Sequence, residues 1–171
     1  MNEKLTKQID LATEHFRALA VEQAERAERI KNAGDFVDYE KLDKIVIGVC
    51  SGDGIGPSIT SVTEKVLKSM LESEVAAGKI EFRDIAGLTI ENRIKHMQPI
   101  PDDVMAELKQ CNVILKGPTT TPQQGDGLPN IESANVAMRK ALDLFANVRP
   151  VRVKEQGINW TFFRENTEGS Y

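Results

Sequence analysis

Apolar residues change their period along the 171-residue chain, and the changes mark its elements. Leu5, Ile9, Ala12, Phe16 and Leu19 recur at alternating steps of four and three, which sets them on one stripe of a helix. Residues 2–33 are rich in Ala, Glu, Gln, Lys and Arg and contain neither Gly nor Pro, a strongly helical composition. The stripe lasts about two heptads, short of what a free coiled coil needs, so it is expected to pack on the chain's own body or on a partner subunit. Gly34 and Asp35 are expected to end the helix, and the segment to Asp43 reads as a linker.

From Lys44 the pattern shortens. IVIGVC (Ile45 to Cys50) is a buried-strand run, and Pro57 suits the first turn of a helix that Ile59, Val62, Val66, Leu67 and Met70 continue. Lys79 to Ile85 predicts a second strand. Pro101, Asp102 and Asp103 open a helix through Lys109 with acids at its positive end, and CNVILKG predicts a third strand. Strands alternating with helices imply right-handed crossovers and a mainly parallel α/β sheet with flanking helices. ESANVAMRKALDLFANVRP is expected to be one helix, and INWTFF a further strand.

Between the first strand and its helix lies SGDGIGP. A dinucleotide fingerprint, G-x-G-x-x-G, uses three missing side chains for the turn, the approach to pyrophosphate and the helix packing. Gly52 and Gly54 supply the first part, but Pro57 stands where the third glycine is due, and Asp53 would repel a phosphate. Ordinary phosphate cradling does not explain this loop.

Composition excludes several functions. A formal net charge of -4 gives no basic footprint for nucleic acid or an anionic membrane, though local arginines can still hold a small anion. No apolar run approaches the roughly 18 residues of a membrane span, and MNEKLTKQID lacks a signal peptide's apolar core, so a cytoplasmic location is expected. Cys50 and Cys111 are too few and too far apart for a zinc pattern and are expected to be inert thiols. His15 and His96 have no partner at metal or catalytic spacing.

The candidate chemistry lies late in the chain. GPTTTPQQGDGLPN leaves the carboxyl end of a predicted parallel strand, where open sheets bind ligands; a plain flexible surface loop is the alternative. Ser133 is a plausible N-cap, its oxygen meeting the free amides of the first turn, and Asn135 and Arg139 lie four apart on one helical face. Arg149 and Arg164 follow. Arginines gathered from separate elements fit a carboxylate through parallel hydrogen bonds, which suggests a di- or tricarboxylate. Surface pairing with Glu132, Asp143, Glu155, Glu165 or Glu168 accounts equally well for their presence.

GDGIGP (Gly52 to Pro57), LKGPTTTP (Leu115 to Pro122), SANVAMRKALDLFANVRP (Ser133 to Pro150) and FRENTEGSY (Phe163 to Tyr171) together resemble the isocitrate and 3-isopropylmalate dehydrogenases, in family order. RENTEG and the Ser133–Asn135 pair look most like the isocitrate branch. The resemblance implies metal-dependent oxidative decarboxylation of isocitrate to 2-oxoglutarate with NAD or NADP and Mg²⁺ or Mn²⁺. It implies that Ser133, Asn135, Arg139, Arg149 and Arg164 hold the substrate's carboxylates, that Thr121 lies near the nicotinamide, and that Tyr171 is the acid that protonates the enolate. Related substrates, 3-isopropylmalate, homoisocitrate or tartrate, are alternatives, as is a short non-catalytic partner subunit.

By the same resemblance this is the amino-terminal portion of the enzyme, expected to be inactive alone because the metal-binding aspartates and a second-subunit lysine lie after Tyr171 in the family. A helical extension and linker over 1–43, a first α/β domain over 44–144 and the start of a second domain over 145–171 are expected, in a homodimer. Two departures stand out: QQGDGLPNIE is longer than the usual loop, and Ser170 stands where glutamate is common.

Overall fold

The structure, a computed structural model, describes residues 2–32, 37–123 and 125–167. The chain divides into two compact units, Met1–Lys41 and Leu42–Tyr171. In the first, helix α1 runs from Glu3 to Asn32, with Glu3 at its positive end and Arg29 and Lys31 at its negative end, each favourable to the helix dipole. No residue of α1 is buried, and Leu5, Ile9, Phe16 and Leu19 of the apolar stripe are exposed. The expected helix stop at Gly34 and Asp35 lies outside the described residues. A 3₁₀ turn at Tyr39–Lys41 follows, closed by an ion pair between Lys41 and Asp38 at 2.9 Å.

The second unit is built on a three-stranded parallel sheet, ordered β2-β1-β3. Strand β1 (Ile45–Cys50) is central, with Ile45 opposite Ile80 of β2 (Ile80–Asp84) and Ile47 opposite Val113 of β3 (Val113–Lys116). Four of its residues are buried, as expected of an apolar run covered on both faces. All three strands stand where the apolar runs predict them. Helix α2 (Gly56–Met70) has proline in its first turn, as expected, but its apolar positions Ile59, Val62, Val66 and Met70 are exposed. Gly56 and Thr60 are the buried residues of that helix, because it meets the ends of β1 and β3 through its small side chains.

Two short helices were not predicted: α3 (Glu72–Ala76) and α4 (Ile90–His96). Helix α4 starts at Thr89, whose hydroxyl accepts the Asn92 N–H at 3.4 Å, and stops at Met97 in the left-handed conformation. Helix α5 (Asp102–Leu108) carries the acids Asp102 and Asp103 in its first turn. Cys50, Ile85, Leu88, Ile100, Val104, Leu108, Ala134 and Met138 form one core cluster, joining the sheet to α5 and to α6 (Ala134–Ala141). Each fully buried aliphatic side chain in it contributes roughly 1.5–3 kcal/mol.

The long helix expected over 132–150 is corrected to the eight residues of α6. Asp143 takes a φ of 54°, which breaks the helical path, and Ala146 begins strand β4 (Ala146–Val153). A 3₁₀ turn, Lys154–Gln156, leads through Gly157 into β5 (Ile158–Glu165), antiparallel to β4 in a separate two-stranded sheet. Branched Val148, Val151 and Val153 favour the extended form once that partner strand exists.

Candidate functional site

Because β1 and β3 are parallel neighbours, the loops after both leave the same edge of the sheet. The Gly117 N–H donates to the Cys50 carbonyl at 2.7 Å and the Asp53 N–H to the Pro118 carbonyl at 2.8 Å, so the two loops are laced together. Glycine is required for that approach. A Cβ on Gly52, whose φ is +70°, would lie 2.0 Å from the Pro118 oxygen, and one on Gly117 would lie 2.2 Å from the Ser51 oxygen. Gly52 of SGDGIGP and Gly117 thus let the two loops meet.

Asp53 has two partners of its own. One carboxylate oxygen accepts the Ile90 N–H at 2.8 Å, and the other accepts the Thr120 N–H at 2.7 Å. On the other side of the same residue's Cα, the Thr120 carbonyl accepts from Nη1 of Arg93 at 2.6 Å. Arg93 is fully buried on α4, and it donates also through Nε to the Pro99 carbonyl at 2.8 Å and through Nη2 to the Glu132 carbonyl at 3.0 Å. Burial lowers the affinity of its guanidinium for its proton, and the field of Asp53 opposes that shift. The sequence analysis missed this residue. Its partners are main-chain carbonyls, which leave no trace in the sequence.

Glu132 precedes Ser133, which occupies the N-cap of α6 as predicted. The expected capping bond is absent, so the half-buried Ser133 hydroxyl is not used on its own helix. Ala134 and Met138 turn into the core, while Asn135 and Arg139, also four apart, are half-buried on the adjoining face. Among the described residues no carboxylate forms an ion pair with the Arg139 side chain; the nearby Glu132 pairs with Lys140 at 3.8 Å.

Lys116, at the end of β3, was also missed, although a lone lysine closing the apolar run VILK is a visible signal. Its ammonium donates to the Gly117 carbonyl at 2.8 Å and to the Thr119 hydroxyl at 3.1 Å. Burial holds its pKa below the ordinary lysine range, and the positive fields of Arg93 and Arg139 push the same way, against those of Cys50 and Asp53. Lys116 therefore lies within the electrostatic reach of Arg93, Arg139 and Asp53, beside the threonine loop. Thr121, further along that loop, is exposed.

Arg149 and Arg164 stand apart from this group, on the hairpin. Arg164 is opposite Asn147, and Arg149 lies two residues along β4, so all three share one face. Arg149 Nε donates to the Asn147 side-chain oxygen at 2.9 Å. Trp160 and Phe162 line the same face in an edge-to-face pair with centroids 6.2 Å apart. The predicted constellation thus falls into two sets, one on α6 and one on the hairpin, and Tyr171 lies outside the described residues. Among the described residues, no group of three or more His, Cys, Asp or Glu could hold a metal ion. Cys50 is buried and its thiol is pushed up to about 11 by burial, which is the state of an unreactive thiol.

Residues 46–171 match the family model for isocitrate/isopropylmalate dehydrogenase. The chain belongs to that family. As an isocitrate/isopropylmalate dehydrogenase family member, it is 33% identical over 148 residues to an NADP isocitrate dehydrogenase of Caldococcus noboribetus, covering 75% of this chain and 31% of that one. It is 36% identical to the corresponding protein of Coxiella burnetii, over 77% of this chain and 33% of the relative. It is 33% identical to a 3-isopropylmalate dehydrogenase of Staphylococcus haemolyticus, over 70% and 38%. The chain spans about a third of the length of these curated relatives. A solved β-decarboxylating dehydrogenase of Thermococcus kodakarensis superposes with a TM-score of 0.59 at 30% identity, over 73% of this chain and 35% of that one. The α/β architecture and the parallel sheet are those of the family.

Proposed function

We propose that the protein carrying this chain oxidatively decarboxylates isocitrate to 2-oxoglutarate with a nicotinamide cofactor and a divalent metal, and that this chain supplies the groups that anchor the substrate. The observation that carries the proposal is the set of Ser133 at the N-cap of α6, Asn135 in its first turn and Arg139 one turn further along the same face, within the electrostatic reach of Lys116, with the Ser133 hydroxyl uncommitted to its own helix. A hydroxyl and an amide at a positive helix end, with a guanidinium one turn on along the same face, suit a carboxylate, which accepts from all three.

In this proposal Arg139 and Lys116 hold carboxylates of the substrate, and Arg149 and Arg164 approach from the hairpin, which opens a second domain after residue 144. Fixing several carboxylates orients the C2–H bond of the hydroxy acid for hydride loss, and orientation supplies much of the rate enhancement. The nicotinamide cofactor, when bound, accepts that hydride. Thr121 is proposed to lie near it, since the threonine loop adjoins the anion-binding groups. The names of the isocitrate relatives favour NADP. Mg²⁺ or Mn²⁺ is proposed from family membership; the described residues offer it no cluster of ligands. Tyr171 is proposed to donate the proton to the carbon that has lost carbon dioxide. A homodimer is proposed from the same membership.

A second substrate, 3-isopropylmalate, is favoured by the Staphylococcus haemolyticus relative. Steady-state turnover of the full-length protein on isocitrate, 3-isopropylmalate, homoisocitrate and tartrate, with NADP or NAD and Mg²⁺, separates them. Reduced cofactor and 2-oxoglutarate forming from isocitrate is the expected result. Turnover of another acid without isocitrate overturns the substrate, and no turnover of any overturns the enzyme proposal.

A further inference from the structure

Most features outside the α6 and hairpin sets are single thiols or exposed apolar faces, but one buried cluster has no place in the proposed chemistry. It centres on Thr120, whose main-chain N–H is held by Asp53 and whose main-chain carbonyl is held by Arg93. We infer that Asp53 and Arg93 are positioning residues that lock the threonine loop to the start of α6 and so set the spacing of the substrate-anchoring groups. The inference rests on the anion-binding proposal for Ser133, Asn135 and Arg139.

The connections make the case. Arg93 reaches three main-chain carbonyls: Pro99 ahead of α5, Thr120 in the threonine loop, and Glu132 immediately before Ser133. One rigid planar group thereby fixes the distance between the Thr119–Thr121 hydroxyls and the N-cap of α6. Arginine is needed because a lysine ammonium, a single point of charge on a flexible stem, cannot hold three divergent carbonyls in a fixed fork. Asp53 completes the grip. Both of its oxygens accept main-chain N–H groups, from Ile90 at the start of α4 and from Thr120, so it ties Arg93's own helix to the same loop. Asparagine in its place would turn an NH₂ group toward one of those donors.

None of these bonds ends on a side chain that could touch substrate, so the effect on catalysis is transmitted through the backbone. A charged residue is justified here because it is fully used: the buried guanidinium finds its acceptors in carbonyls and its field partner in Asp53.

The test uses the full-length protein with Asp53→Asn and Arg93→Lys, with Ile47→Ala, at a buried position of β1, as a core control. Amide hydrogen exchange at Thr120 and at the first turn of α6 is measured alongside kcat, KM for the hydroxy acid and the urea midpoint. Exchange at Thr120 is expected to rise at least tenfold in both variants, and KM for the hydroxy acid at least tenfold, while Ile47→Ala lowers the midpoint without moving KM. Unchanged Thr120 exchange overturns the clamp. Faster exchange with unchanged kcat and KM overturns its positioning role. If Arg93→Lys does not fold, Asp53→Asn carries both readouts. If the wild-type protein turns over none of the hydroxy acids, the functional proposal fails separately, and exchange, with Mn²⁺-free citrate binding by calorimetry replacing KM, decides the clamp.

Discussion

A Cβ placed on Gly52 would lie 2.0 Å from the carbonyl oxygen of Pro118. That close approach brings the loop after β1 against the loop after β3, and it makes the glycines of one motif unequal. Gly54 also has positive φ, +58°, but nothing lies within 4 Å of its would-be side chain. Gly54→Ala is expected to cost roughly 1–2 kcal/mol, the left-handed backbone penalty. Gly52→Ala adds a main-chain clash and is expected to cost roughly 3 kcal/mol or more. Urea denaturation of the two variants checks the order.

Arg139 is half-buried and has no ion-pair partner among the described residues, so its removal exposes the difference between a binding and a structural role. Arg139→Ala in the full-length enzyme is expected to raise KM for the hydroxy acid about 10–100-fold, the equivalent of losing charged hydrogen bonds of about 1.5–3 kcal/mol. The urea midpoint should stay near the wild-type value. Arg139→Lys should recover part of the affinity through charge alone. A collapsed midpoint with normal KM would assign the residue to the fold.

Cys50 makes stability depend on alkaline pH. Its thiol is raised from 9.0 to about 11 in the folded protein, chiefly by burial, so the folded state keeps a proton that the unfolded state releases between those values. The stabilisation is complete below pH 9 and is lost as pH rises toward 11, by up to roughly 2–3 kcal/mol for a shift of this size. Cys50→Ala should flatten that decline. Thermal melts of both proteins from pH 7 to beyond pH 10 measure it, and iodoacetamide should label Cys50 only after unfolding.

The apolar runs of β1, β2 and β3, and Pro57 in the first turn of α2, made the parallel sheet legible, since each element carries its own period or punctuation. Helix α4 was not legible because it is only seven residues long, its apolar residues Ile90 and Ile94 are too few to set a period, and it ends at Met97 rather than at a glycine. α6 was drawn too long for a different reason. LDLFAN has helical composition, and only pairing with β5, in which Asn147 meets Arg164, turns the next residues into a strand. In the candidate site, Ser133, Asn135 and Arg139 were visible because their side chains carry the chemistry. Asp53 drew notice only as an acid that argues against a bound phosphate, and Arg93 drew none. Both bind main chain, and the loops that supply it are distant in sequence.

The β4–β5 hairpin keeps Arg149 and Arg164 together only by parity. Arg149 and Arg164 share a face because Asn147, the neighbour of one along the strand, is the partner of the other across it. Removing one residue of β5 between Ile158 and Phe163, with the Lys154–Gly157 turn intact, would set Arg164 opposite Val148 and send it through to the reverse side of the ribbon. Length changes in this strand are therefore tolerable to the arginine pair in twos and ruinous in ones, a counting rule imposed by the pleat rather than by any side chain.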